Sequence, residues 1–277
     1  MSDANSTKFQ GETQYGSQLL SHSRKLWLYT NFDCNIWCTY CVAESSPKTP
    51  RRALSIETVR RLVDEAEPLG FYRLYFTGGE PFFLEEIYEM LAYSSSRLKT
   101  TVLTNAMLFR GKRLPRLCEI NNDNLSVQIS LDGARAEVHD AYRGEGTWGK
   151  TVDGIRLLLS NDFHVCISTT ETPANTPYMD EIRDFIGELG IAEGNHFIRP
   201  LARRGFSQEG LDVGVDNLLP EVTISADGVY WHPLVSPSDG DMLITRRIFP
   251  LAKAVECIQK QLESQNDEQG AERTEVQ

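Results

Sequence analysis

The sequence predicts an α/β protein: a partial (β/α)6 parallel barrel over about residues 26–200, carrying a short C-terminal β-hairpin plus helix extension. Three observations predict it. Apolar strand-like runs alternate with helical spacing at intervals of about 30 residues, the length of a βαβ unit. Six such units fit before Pro200, whereas a closed eight-unit barrel needs about 250 residues. After Pro200 the rhythm changes to a hairpin pattern centred on Asp227-Gly228, an Asp-Gly turn between β-rich arms, followed by one terminal helix.

Leu26–Phe32 opens the series as a short apolar strand. Over Ser55–Glu67, Ile56, Val59, Leu62 and Val63 recur at helical spacing, with Ser55 placed as N-cap. Phe71–Phe76 and Lys99–Leu103 read as strands, with helices over Leu84–Ser94 and around Lys112–Glu119, the latter interrupted or begun by Pro115. Leu125–Leu131 alternates with period two, and a helix follows over Thr151–Leu159. Strands at Val165–Thr169 and His196–Ile198 flank a helix near Tyr178–Leu189. Residues 1–25 are polar and read as a mobile arm, 201–262 as the extension with its helix over Thr245–Leu262, and 263–277 as a frayed tail.

At 277 residues and 40% hydrophobic, the chain can bury a sizeable core. Its net charge of −11, without a basic block, argues against nucleic acid or an anionic membrane as the main partner. No run approaches about 18 apolar residues and the N-terminus is not signal-like, so a cytoplasmic protein is expected. Half of the 6 cysteines crowd into one short stretch, a pattern of metal ligation in a reducing compartment rather than of a disulfide framework.

That stretch is Cys34-Asn-Ile-Trp-Cys38-Thr-Tyr-Cys41, C-x3-C-x2-C directly after the first strand. Short spacers let three thiolates converge on one inorganic centre at little loop-closure cost. Soft thiolates favour iron–sulfur, zinc or copper(I). Structural zinc wants four ligands, and no further Cys or His stands nearby before Cys118 and His139. An iron–sulfur cubane held by three cysteines leaves one iron open. Taken alone, the spacing also suits a partial zinc site.

With Tyr40 just before the last cysteine, the motif resembles the signature of the radical S-adenosylmethionine (radical SAM) enzymes. That resemblance implies a [4Fe-4S] cluster on Cys34, Cys38 and Cys41 that binds S-adenosylmethionine at its open iron. It also implies reductive cleavage to a 5′-deoxyadenosyl radical that abstracts hydrogen from a substrate, and a low-potential electron donor such as a flavodoxin or ferredoxin. The partial barrel is the architecture it implies as well.

A second motif, Thr77-Gly78-Gly79-Glu80-Pro81, follows the second strand. Two glycines permit positive φ and close approach of backbone to a ligand, and Glu80 can accept from an ammonium. By itself this is also a plain βα turn. One unit after the cysteines, it resembles the family's GGEP motif for the SAM amino group.

Thr104 and Asn105 end the third strand with polar groups that either face the cofactor or cap the next helix. On the fourth, Ser126, Gln128, Ser130 and Asp132 share one face, turning a polar surface to the barrel interior. Ser130-Leu-Asp132-Gly133 through His139-Asp140-Ala-Tyr142-Arg143-Gly144 resembles the branch of peptide-modifying and sulfatase-maturating enzymes. That implies Ser130 and Arg143 at the SAM carboxylate, Asp132 near the ribose, and Tyr40 with the later strand ends placing the adenosine. Cys166, with Ser168 and Thr170 on its face, is a buried small hydrophobe or a hydrogen-atom donor. Arg199 clamps a substrate carboxylate or phosphate, or makes a surface salt bridge; Arg203-Arg204-Gly205 reads as a solvated turn.

In many relatives of this branch the hairpin opens an extension with auxiliary clusters, a cysteine standing five residues after the glycine. Here that place is Pro233, so one cluster is expected. Oxidations that use a second cluster as electron acceptor become less plausible, and hydrogen exchange, epimerisation, rearrangement or an external acceptor more so. The hairpin is expected to cover the open end of the barrel, with His232 as an edge residue. With only about 25 residues before the barrel, a small-molecule substrate or a peptide delivered by another protein is expected. The alternative reading is a non-catalytic cysteine-ligated metal protein, which requires a fourth protein ligand.

Overall fold

The structure, a computed structural model, describes residues 24–260 except 215, 216 and 239. Most of the expected arm, the tail, and the last two residues of the expected terminal helix lie outside these. Six strands, β1 (Lys25–Asn31), β2 (Arg73–Gly78), β3 (Lys99–Thr104), β4 (Leu125–Ser130), β5 (His164–Glu171) and β6 (His196–Pro200), pair in parallel in sequence order. Helices cross between them: α1 (Ile56–Ala66), α2 (Ile87–Ser95), α3 (Arg113–Cys118), α4 (Ala136–Arg143), α5 (Thr147–Leu159) and α6 (Met179–Glu188).

The apolar strand face explains this wrapping. Leu26, Leu28, Leu74, Phe76, Val102, Val127, Ile129 and Ile167 are buried in one core with Val59, Leu62, Val63 and Ala66 of α1. Each fully buried aliphatic side chain contributes about 1.5–3 kcal/mol. Helix α1 starts where Ser55 Oγ accepts from Thr58 N at 3.1 Å, as its sequence predicts. The opposite strand face, Tyr29, Thr77, Leu103, Ser130, Ser168 and Thr170, lines the interior cavity.

The sheet does not close. Beyond β1 it continues through β7 (Thr223–Ser225), β8 (Gly228–Tyr230) and β9 (Leu243–Thr245), giving the order β6-β5-β4-β3-β2-β1-β7-β8-β9. The expected hairpin is present, but its place is different: β7 runs parallel to β1, with Trp27 opposite Thr223 and Leu28 opposite Ile224. It therefore extends the sheet at its edge instead of covering the open end. Its turn also sits one residue earlier, on Ala226-Asp227, because Ser225 pairs with Gly228. Gly228 is required for a different reason: at φ +147 a Cβ would stand 2.5 Å from the Thr245 carbonyl oxygen of β9. The expected helix over 245–262 loses Thr245 to that strand and 246–250 to a connecting loop, and begins at 251, where Leu251 N donates to Glu65 Oε2 at 2.5 Å.

Candidate functional site

The end of β1 and the end of β2 are stitched into one platform. Asn31 Nδ2 donates to Asp33 O at 2.8 Å and to Glu80 O at 3.1 Å, while Gly79 N donates to Asn31 O at 2.8 Å and Glu80 N to Asp33 O at 3.0 Å. Arg51 clamps the Asp33 carboxylate through Nε and Nη2 at 2.8 and 2.7 Å. Burial would raise the Asp33 pKa, but Arg51 and Asn31 outweigh it and hold the carboxyl below its usual range. Cys34 follows directly.

The glycines of the second motif serve this platform. A Cβ on Gly78 would meet Asn31 O at 2.2 Å, and one on Gly79 would meet Asp33 O at 2.1 Å. The close approach expected between these glycines and a ligand is thus first an approach to the chain that carries Cys34. Gly78 does adopt the expected positive φ, +132.

The cysteine loop is gripped from outside too. Thr39 N donates to Tyr142 O at 2.8 Å, Phe206 N to Cys41 O at 3.1 Å, and Cys41 Sγ accepts from Ser45 N at 3.4 Å. A Cβ on Gly205, at φ +63, would lie 2.4 Å from Val42 O, so the segment after β6 packs directly on the loop. Arg204, expected in a solvated turn, is buried: it bonds Leu234 O at 2.6 Å and both carboxylate oxygens of Asp241. Arg203 is half exposed near Asp212, as a turn residue. From the C-terminal side, Ser236 and Ser238 hydroxyls donate to Glu44, and Tyr29 OH donates to Pro233 O. The position without a cysteine is therefore a backbone brace for a tyrosine of the cavity wall.

Cys34, Cys38 and Cys41 line one cavity of about 270 Å³ together with Tyr40, Gly78, Gly79, Glu80, Thr104, Asn105, Ser130 and Arg143. Burial pushes all three thiols up, Cys38 to about 12 against the opposing pull of Arg143. Glu80 is fully enclosed. Its Oε1 accepts from Thr104 Oγ1 at 2.7 Å and Phe82 N at 3.1 Å, and its Oε2 from Asn105 N at 2.9 Å. Burial nevertheless raises its pKa to about 7, these three donors opposing. Thr104 and Asn105 thus orient Glu80 as well as facing the cavity.

Asp132 stands behind the wall rather than on it. Its Oδ1 accepts from Thr170 N at 2.9 Å, and its Oδ2 from Arg143 Nε at 2.6 Å and from the Tyr40 hydroxyl. With both oxygens engaged, the carboxylate fixes two cavity residues, Tyr40 and Arg143. Helix α4, which the sequence reading did not identify, delivers Arg143 and places buried His139 so that Nδ1 accepts from Asp132 N at 3.1 Å. Cys166 is buried beside His164, as a small hydrophobe would be. His232, expected at the hairpin edge, accepts from Leu234 N at 3.2 Å through Nδ1, and burial brings its pKa down to about 4.

The family model of the Radical SAM superfamily matches residues 28–186, more than half of the chain. The chain belongs to the radical SAM superfamily. Among curated relatives, the AdoMet-dependent heme synthase of Methanosarcina barkeri is 31% identical over 179 residues, 64% of this chain and 51% of that protein. Mycofactocin maturase MftC of Mycobacterium tuberculosis is 30% identical over 187 residues, 67% of this chain and 46% of its own. The chain spans about half the length of these relatives. The crystal structure of Streptococcus suis SuiB bound to S-adenosylmethionine shares the fold, with a TM-score of 0.61 at 18% identity over 78% of this chain and 51% of that one.

The radical SAM family uses a [4Fe-4S] cluster and S-adenosylmethionine, and the donor set can be tested against both. Three thiols share one cavity, yet among the described residues no three His, Cys, Asp or Glu side chains converge on a position for a single ion. Among the described residues, no histidine and no fourth cysteine lines that cavity. Separated thiols with no fourth soft ligand fit a polynuclear cluster better than mononuclear zinc, whose four ligands crowd at about 2.3 Å. The remaining wall, carboxylate, hydroxyls and guanidinium, suits a zwitterion. Metal binding must displace the protons that burial keeps on these thiols.

Proposed function

We propose that this chain binds a [4Fe-4S] cluster through Cys34, Cys38 and Cys41, cleaves S-adenosylmethionine there reductively, and abstracts hydrogen from a small-molecule or peptide substrate. The observation that carries the reading is the cavity onto which three cysteines, Glu80 and Arg143 all open, with no fourth cysteine or histidine on it among the described residues. A cluster held by these cysteines would supply the reducing electron for cleavage, drawn from a flavodoxin- or ferredoxin-like donor, so that hydrogen abstraction from substrate could follow.

The chain's own residues bind and orient. Glu80, raised to about 7 without a cation, takes full charge when an ammonium sits against it, and its three fixed donors hold the carboxylate in place. Gly78 and Gly79 fix that carboxylate relative to Cys34. Arg143 spends Nε on Asp132, leaving its terminal nitrogens for a carboxylate together with Ser130. Tyr40, tethered by Asp132, places its ring at the wall for the nucleoside. Gly205 and Phe206, packed on the cysteine loop, and Leu234, held by Arg204, shield that end of the cavity from water.

Anaerobic reconstitution with iron and sulfide, followed by dithionite and S-adenosylmethionine, should yield 5′-deoxyadenosine and methionine. If zinc alone restores thermal stability and no 5′-deoxyadenosine forms, the non-catalytic metal reading replaces this one.

A further inference from the structure

The cavity wall has two halves. The ends of β1 to β4 carry the cysteines, Gly78 to Glu80, Thr104, Asn105 and Ser130, all of which the proposed function uses. The remainder, on β5, β6 and the segment after them, is Ser168, Thr170, Arg199, Pro200, Leu201 and Ala202. We propose that this second half is the substrate site and that Arg199 anchors a carboxylate of the substrate there. This rests on the function proposed above and names the chemistry of what it acts on.

Register places the anchor. Thr170 lies opposite Arg199 and Ser168 opposite Phe197 in the parallel β5–β6 pair, so the Thr170 hydroxyl and the Arg199 guanidinium are side-by-side neighbours on the inner face. Among the described residues the Arg199 side chain has no ion pair and no hydrogen bond, and the Ser168 and Thr170 hydroxyls have no partner. The acid it feels is Glu221, but that carboxylate is taken by Lys25 Nζ at 2.8 Å and by the Trp27 indole N–H. The other charges on the wall are also accounted for: Arg143 is paired with Asp132, and Glu80 holds three donors. Arg199 is therefore the one cation lining this cavity, among the described residues, that no carboxylate neutralises.

Arg199 keeps solvent contact while lining the cavity, so its charged guanidinium is open to an incoming anion. Gln128, two residues before Ser130 on the inward face of β4, is buried with Nε2 unbonded, but it does not itself line the cavity. One guanidinium, with the nearby lysine already neutralised, balances a monoanion. That matches a carboxylate rather than a phosphate dianion, and a guanidinium fork meets a carboxylate through two parallel hydrogen bonds.

The test compares a charged probe with its neutral twin, hippurate with hippuramide, by anaerobic calorimetry on the reconstituted, S-adenosylmethionine-loaded enzyme without reductant. Hippurate should bind about tenfold or more tightly than hippuramide, equivalent to about 1.4 kcal/mol. In Arg199→Gln the two probes should bind within about twofold of each other, and Arg199→Lys should keep part of the preference. S-adenosylmethionine affinity, measured by equilibrium dialysis, should stay unchanged in both variants. Equal binding of the two probes to the unaltered protein overturns the proposal without requiring any variant to fold. So does a preference that survives Arg199→Gln, and so does a tenfold loss of S-adenosylmethionine affinity there, which would assign Arg199 to the cofactor. If the unaltered protein binds no S-adenosylmethionine at all, the proposed function fails, and the same probe pair without it still decides the role of Arg199.

Discussion

Replacing Gly79 by alanine adds one methyl group where the chain has no room for it. The new Cβ would stand 2.1 Å from Asp33 O, 2.6 Å from Asp33 C and 3.0 Å from Phe32 C, all backbone atoms that cannot rotate away. Overpacking of this kind costs about 1–3 kcal/mol. The separation it forces also breaks or stretches the bonds from Gly79 N to Asn31 O and from Glu80 N to Asp33 O, each worth about 0.5–1.5 kcal/mol net. Together these give a loss of about 2–6 kcal/mol, concentrated on the segment that presents Cys34. Urea unfolding of Gly79→Ala should show that loss, and iron content after anaerobic reconstitution should fall well below the parent's. Gly149→Ala is the control: Gly149 lies inside α5 with nothing near its Cβ position, so alanine there should stabilise by about 0.5–1 kcal/mol. Equal stability and full iron loading in Gly79→Ala would refute the idea that these glycines exist to seat the cysteine loop.

Cys38→Ala should lose both cluster absorbance and S-adenosylmethionine cleavage, whereas Cys257→Ala, at an exposed thiol on the 251–260 helix, should keep both. Asp132→Asn leaves the buried Arg143 without its counter-ion, for which about 3–5 kcal/mol is expected, read as a lowered urea midpoint. Asp140 accepts from Trp148 N at 2.8 Å, Gly146 N at 2.7 Å and Thr147 Oγ1 at 2.9 Å, and these donors hold its pKa below the usual value although burial works the other way. A carboxyl depressed in the folded state stabilises above its unfolded pKa, about 3.9, and loses that contribution as pH falls through the folded value. Asp140→Ala should therefore cost about 1–2 kcal/mol near neutrality, and the gap in denaturant midpoint should narrow below about pH 4.

Elements with their own periodicity were legible in the sequence. Six strands and the helix capped by Ser55 emerge where it placed them, within a few residues, because each carries its apolar pattern locally. Helix α4 did not, since over Ala136–Arg143 only Val138 is a buried apolar residue and the pattern offers no stripe. The parallel pairing of β7 with β1 joins residues almost two hundred positions apart, and no local pattern encodes it. The cysteines and Glu80 were found because their residue types announce their chemistry. What the sequence withheld was who holds whom: that Gly78 and Gly79 face backbone, that Asp132 is spent on Tyr40 and Arg143, and that Arg204 is buried while Arg199 is unpaired. The signal for Arg199 was present in part, as a cation on the inner face of a strand end, but only the absence of any partner carboxylate separates an anchor from a salt bridge.

The most direct test of the account is the coordination of the metal centre, read by Mössbauer and electron paramagnetic resonance spectroscopy of the anaerobically reconstituted protein. The account predicts a [4Fe-4S] cluster with three cysteine ligands and one distinct iron, whose signal changes when S-adenosylmethionine is added. A centre with a fourth side-chain ligand, unaffected by S-adenosylmethionine, would contradict it.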